Sequence, residues 1–425
     1  RLLRAFWKKG KLLIGEARMG WEGEPRTQDG ALGPVTAQEP GEASEGDWPG
    51  VAALVLAVAL GTGAPARAET PERLGAESAG APAAVALPVL AAPQEIWKIK
   101  GRFLAPGRAD GEDNAHEAED ISAIACATPP GSKHRACLLV ADDVRYVRPV
   151  TLTGAAIELG LPVPLVSDAL LKKKKKIKDV DAEGAAFLSH GDGRSYYYLT
   201  GSHGAPRRPK PGKSIEKVLD PLSFFVFRIA VDPGTGALGA VEGTGALARA
   251  IATVGTAEGL SCTALKCVAL DKGGPTIEGL AARDGQLYFG FRAPTRAGRA
   301  FVVRVSADGL FTGDGAGAEP ALLPVRLGGG FGIRDLVAVD GGFLILAGSD
   351  GMTDGSFSYP SLIHFWDGLG EATQPLAVLA TTKRKAKPEG LLVLKDDRRR
   401  GHYRVLVLSD GVAGGRPAVY VIPRP

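Results

Sequence analysis

Apolar residues in this chain recur in short runs with period two, and the runs come in pairs. Five segments open on the same pattern: DISAIA (Asp120 to Ala125), DAEGAA (Asp181 to Ala186), TIEGLA (Thr276 to Ala281), GIRDLV (Gly332 to Val337) and KPEGLL (Lys387 to Leu392). Each reads as a strand with a polar or charged residue at its third position. After a turn, each is followed by a second apolar strand: CLLVADD from Cys137, YYYLTGSH from Tyr196, LYFGFR from Leu287, FLILAGSD from Phe343 and YRVLVLSD from Tyr403. Two of the turns contain Asp-Gly, at Asp284-Gly285 and Asp340-Gly341. That dipeptide signals a tight hairpin, whose central residues need positive φ.

Second hairpins, FFVFRIAVDPGTGAL from Phe224 and FVVRVSADGLF from Phe301, extend two of the pairs into four-stranded meanders. Such a meander is the unit of a propeller blade. The third positions Ser122, Glu183, Glu278, Arg334 and Glu389 lie 61, 95, 56 and 55 residues apart. This period predicts an all-β fold, a single β-propeller over residues 95–425. It has six blades if the long interval hides a degenerate one, and five otherwise. An open β-sandwich is the rival architecture. The strand IWKIKGRF (Ile96 to Phe103) is placed to close the ring against AVYVI (Ala418 to Ile422).

The same motifs carry a resemblance. SAIAC, AEGAA with YYYLTGSH, IEGLAARDGQLYFGFR and GIRDL together resemble the domain-of-unknown-function 3616 family of bacterial proteins, from about Asp120 to the C-terminus. The family name implies no activity. At a greater distance, the EGLA-type strand is similar to secreted propellers of the esterase-like phytase kind.

Composition changes the picture mainly at the N-terminal end. Gly is abundant, at 58 residues, and Pro numbers 30, which suits a fold of many turns, and the formal charge of +4 implies neither nucleic acid nor a membrane surface as partner. Residues 1–50 show no sustained apolar period and read as disordered or as sequence upstream of the native start. VAALVLAVAL (Val51 to Leu60) followed by Ala66-Arg67-Ala68 has the form of a signal peptide over residues 51–68, although Glu45 and Asp47 stand where basic residues belong. The apolar run is too short to span a bilayer. An Ala/Pro-rich tether is expected over 69–94. The run Lys172 to Lys176 has no interleaved aromatics and reads as a solvated loop. The expected location is therefore periplasmic or extracellular.

Cysteine usage agrees with export. Cys126 and Cys137 flank one predicted hairpin turn, and Cys262 and Cys267 bracket another short loop. Two local disulfides are the reading, against a Cys₄ zinc site whose spacing is wrong.

Candidate chemistry follows from propeller topology. Innermost strands start, and second strands end, on one face near the axis. That face would gather Glu183, Glu278, Arg334, Asp335 and Glu389 from strand starts. From strand ends it would receive Asp142, Asp143, His203, Arg292, Asp350 and Asp410. Such convergent groups form a charged axial funnel. Glu183, Glu278 and Glu389 suit a hard cation such as Ca²⁺. Arg292, Arg334 and His203 suit a small anionic ligand, and a crowded carboxylate could act as a general acid or base. His116, His134, His190, His364 and His402 are expected on turns and surfaces. No G-x-S-x-G, H-E-x-x-H or P-loop motif occurs. Two function classes remain: a binding or scaffolding propeller, and a metal-dependent hydrolase of phosphate or other esters.

Overall fold

The computed structural model describes residues 87–101, 120–128, 133–142, 144–166, 180–205, 221–262, 267–351, 359–380 and 386–425, together with the backbone of strands Leu3–Lys8, Lys11–Glu16, Leu104–Ala105 and His116–Glu117. Residues 51–68, Lys172 to Lys176 and Asp143 lie outside the described residues. The chain divides into two compact units, the larger of which comprises Val85–Pro425 with Ala5–Leu13.

Within the larger unit, five antiparallel meanders follow one another along the chain. Blade 1 holds Ile121–Cys126, His134–Ala141, Tyr146–Thr153 and Ala156–Leu159; blade 2 holds Ala182–Ser189, Ser195–Gly201, Val226–Val231 and Leu238–Thr244. Blade 3 holds Thr276–Arg283, Gln286–Ala293, Arg299–Ser306 and Ala321–Arg326; blade 4 holds Phe331–Val339, Gly342–Ser349, Ser361–Trp366 and Thr373–Leu379. Blade 5 takes Lys387–Asp397, His402–Asp410 and Ala418–Pro423 from the C-terminal end and its fourth strand, Glu95–Ile96, from the N-terminal segment. The first strand of each blade contacts the first strand of the next, and that of blade 5 contacts that of blade 1. The ring is a five-bladed β-propeller.

Five blades rather than six follow from what fills the long interval. Between Glu183 and Glu278 the chain completes blade 2, then forms the helix α1 (Ala246–Gly255) and a disulfide loop. The helix buries Ala246, Leu247, Ala250 and Ile251, a stripe at i, i+1, i+4 and i+5, in the core between blades 2 and 3. Its run of alanines favours helix.

The N-terminal segment does more than close the ring. Val89–Ala91, inside the stretch expected to be a tether, pairs in parallel with Thr373–Leu379 of blade 4. Lys98–Lys100 pairs in parallel with the outer strand of blade 1. Twelve residues (Val89 to Lys100) thus add an outermost strand to three consecutive blades and link the end of the ring to its beginning.

Five apolar cores fill the five gaps between blades. Side chains of an innermost strand alternate between the two gaps it separates, as a pleated strand requires. Ala185 faces blade 1 and Ala186 faces blade 3; Leu391 faces blade 4 and Leu392 faces blade 1. A regular innermost strand therefore presents its open edge, and no side chain, to the axis.

Each innermost strand breaks that regularity at the start of its motif. The register shifts between Ile121 and Ala123, Ala182 and Gly184, Ile277 and Gly279, Ile333 and Asp335, and Pro388 and Gly390. The residue passed over is Ser122, Glu183, Glu278, Arg334 or Glu389, the third position of every motif. A bulge inserts an unpaired residue and re-aims its side chain. The glycine that follows three of them permits close packing of neighbouring blades. A Cβ on Gly279 would stand 2.7 Å from Leu336 Cδ2, and one on Gly184 would stand 2.8 Å from Leu280 Cβ.

The hairpin turns differ in detail. At Asp284-Gly285 both residues have positive φ, 51° and 74°, whereas at Asp340-Gly341 only the glycine does, at 77°. Both disulfides are formed, Cys126–Cys137 between directly opposed strand positions and Cys262–Cys267 across the loop after α1.

Candidate functional site: the axial ring

The bulged residues of blades 2 to 5 meet around the axis. Arg334 of blade 4 forms an ion pair through Nε with Glu278 Oε2 of blade 3 at 2.9 Å, and its Nη2 pairs with Glu389 of blade 5. Glu278 Oε1 also receives Arg292 Nη1 at 2.6 Å, and Arg292 Nε reaches the carbonyl of Ser349 at 3.2 Å. Glu278, Arg334 and Glu389 are all buried. Glu183 of blade 2 is partly accessible and lies close enough to Glu278 and Arg334 to feel both. Blades 2 and 4 are not neighbours, so the influence of Arg334 on Glu183 acts across the axis.

Burial, and after it repulsion from Glu278, Asp181 and Asp142, pushes the Glu183 carboxyl well above the usual range, with Arg334 opposing. Burial, and after it the neighbouring Arg292, lowers Arg334 to about 10, which leaves it protonated at neutral pH.

Asp335 has another role. It occupies the glycine position of the motif, and its carboxylate accepts the backbone N–H of Leu336 at 2.8 Å and of Leu391 at 2.7 Å, with a further contribution from Leu280. Those amides belong to blades 4, 5 and 3. Burial pushes its carboxyl up against the opposing effect of these donors. Asp335 ties three strand edges together.

The cation candidates separate into two groups. Glu278 and Glu389 are both engaged by Arg334, whereas Glu183 gathers with Asp142 and Asp181, whose carboxylate oxygens lie within 4.8 Å of one another. These three are the described carboxylates that could hold a hard cation. Asp181 also accepts the Ser202 hydroxyl. Asp350 accepts from Thr295 at 2.7 Å, and Asp410 pairs with Lys387 at 2.5 Å.

His203 follows Ser202 at the end of the second strand of blade 2, with φ at 52°. Its ring is buried, lies edge-on to Phe224, and neither nitrogen makes a hydrogen bond among the described residues. Burial alone pulls it down to about 3, so it is neutral. The expectation that His364 lies on a surface is corrected. It is buried in the third strand of blade 4, with Nδ1 3.0 Å from Thr373 Oγ1. The third strand of blade 4 departs from strict alternation here, with Ile363 and His364 both buried and the register shifted between them.

Sequence reasoning missed one charged residue on the axis. Arg135, on the second strand of blade 1, is buried and lines a cavity below the ring. Its position between His134 and the cross-strand Cys137 carried no motif signal.

The family described as "Protein of unknown function (DUF3616)" matches residues 268–419, which covers blades 3 and 4 and the first two strands of blade 5. The resemblance noted from the motifs holds over that stretch. No curated protein matches the chain. Among solved structures, the catalytic domain of a Coprinopsis cinerea GH62 alpha-L-arabinofuranosidase is 10% identical, with a TM-score of 0.41, covering 79% of this chain and 98% of that one. A Penicillium chrysogenum alpha-L-arabinanase complexed with arabinobiose is 12% identical, with a TM-score of 0.33, covering 76% of this chain and 97% of that one. A bifunctional GH43-CE protein from Bacteroides eggerthii is 9% identical, with a TM-score of 0.38, covering 72% of this chain; the present chain spans 33% of its length. These likenesses are distant, and no activity is carried over from them.

Proposed function

We propose that this chain is an exported binding or scaffolding propeller whose axial charges hold the blades together. The observation that carries this reading is the Arg334 guanidinium, shared between Glu278 and Glu389, with Arg292 completing the Glu278 site. Charges that satisfy each other within the fold are a tie between blades 3, 4 and 5. A hydrolytic centre would instead keep carboxylates free for substrate. Export is supported by two disulfides with no free cysteine among the described residues. Among those residues no helix is long and apolar enough to cross a membrane.

The rival reading, a metal-dependent hydrolase of phosphate or other esters, requires a cation at Asp142, Asp181 and Glu183. The deciding experiment assays the full chain against aryl phosphate and carboxylate esters, with Ca²⁺ and with EDTA, alongside calorimetric titration with Ca²⁺. Absence of turnover in both conditions is expected. Calcium-dependent turnover that Glu183→Gln abolishes would replace the scaffold reading with the hydrolase.

A further inference from the structure

The charged ring does not fill the axis. On its turn-side, beginning two residues further along each innermost strand, lies a cavity of about 270 Å³. All five blades line it, through the open inner edges of their first strands at residues such as Ala125, Ala186, Ala281, Leu336 and Leu392. This volume is near the lower end of ordinary ligand pockets. The ring and Asp335 stand at one end, so the cavity lies apart from the charges described above.

Among the described residues, one charged side chain lines this cavity, Arg135. It is 5% exposed, donates from Nη1 to the Val393 carbonyl of blade 5 at 2.7 Å and from Nε to the Thr128 carbonyl at 3.3 Å. The neighbouring Tyr197 hydroxyl is already committed, donating to the Ala136 carbonyl at 2.9 Å and accepting from the Ala127 amide at 3.1 Å. No carboxylate pairs with Arg135 among the described residues, in contrast to Arg292 and Arg334. Burial lowers it to about 10, so it remains a cation at neutral pH. Buried charges are paired as a rule, and guanidinium is the side chain best shaped for a planar oxyanion. Its Nη2 has no protein acceptor among the described residues and is the group left for a ligand.

We propose that the axial cavity binds a small organic monoanion, a short-chain aliphatic carboxylate, with its carboxylate on Arg135 and its chain against the alanine-lined wall. A single guanidinium with two donors already committed matches one negative charge. A dianionic phosphate would find no second cation in the wall among the described residues. This assignment is independent of the tie formed by the ring, which the cavity does not use.

The test is calorimetric titration of the full chain with butyrate, hexanoate and octanoate, with hexyl phosphate and hexanol as controls. At least one carboxylate is expected to bind, with hexanol weaker by about tenfold or more, the scale of a charge-assisted hydrogen bond. Arg135→Met should remove that advantage and leave hexanol binding as it was. A second measurement needs no variant: the bound carboxylate should protect Arg135 of the native protein from phenylglyoxal, as read by mass spectrometry. The proposal is overturned if no carboxylate binds or protects, if Arg135→Met binds hexanoate as well as the native chain, or if hexyl phosphate binds more tightly than every carboxylate. The ring-tie reading survives each of those failures, because its own readout is the stability of Glu278 variants.

Discussion

Glu183 and Glu278 occupy equivalent bulges, yet their replacement by Gln should move stability in opposite directions. Glu278 is buried between two guanidinium groups, at 2.6 Å from Arg292 and 2.9 Å from Arg334. Removing one partner of a buried ion pair costs about 3–5 kcal/mol. Gln keeps one acceptor oxygen and Arg334 keeps Glu389, so the loss should fall near the lower end, about 3 kcal/mol. The unfolding entropy of a unit of this size is on the order of 0.7 kcal/mol per kelvin, so the melting temperature should fall by about 4 °C. Glu183 is held above its ordinary range by burial and like charges. A carboxyl whose folded pKa is raised contributes stability that is complete below its unfolded pKa and lost as pH rises through the folded value. Glu183→Gln mimics the protonated form, so it should raise the melting temperature at pH 8 and have little effect near pH 4. The assay is thermal unfolding by circular dichroism at both pH values in EDTA. If both variants shift the same way at pH 8, or if Glu278→Gln melts within about 1 °C of the native chain, the paired ring is not the tie described here.

Three further outcomes are expected. Replacing Cys126 and Cys137 by Ser should lower stability by about 2–3 kcal/mol, the value for a loop of this length, as measured by urea unfolding under non-reducing conditions; an unchanged midpoint would contradict it. A chain beginning at Glu95 should fold with a modest loss, whereas one beginning at Gly101 loses the fourth strand of blade 5 and should melt lower still, or fail to remain monodisperse by gel filtration. His203 and His364, lowered by burial to about 3 and about 4, should show flat Cε1 proton shifts between pH 8 and pH 5. The unfolded chain takes up these protons first, so stability present above about pH 6.5 is lost as pH falls, by about 2 kcal/mol per histidine at pH 5; a titration midpoint near 6.5 in the folded protein would refute the burial argument.

Much of this architecture is written into the sequence by itself. Period-two apolar runs, a repeat near 55 residues and hairpin turns are local signals, because strand alternation and turn geometry depend on neighbouring residues. They specified an all-β propeller, its five motif strands and both disulfide pairs, whose members are close in the chain. The close packing of blades decided the rest. The bulge that turns Glu183, Glu278, Arg334 and Glu389 out of the inter-blade cores is a mismatch between two strands, visible only once they are paired. The choice of Arg334 as partner for both Glu278 and Glu389 depends on which blades are neighbours around the ring. The reach of Val89 to Lys100 across three blades, the burial of His364, and the placement of Arg135 against Val393, 258 residues away in sequence, arise from contacts that ring closure alone creates. Propensity and pattern govern a residue and its near neighbours; charge partners, bulges and cavities belong to the assembled ring.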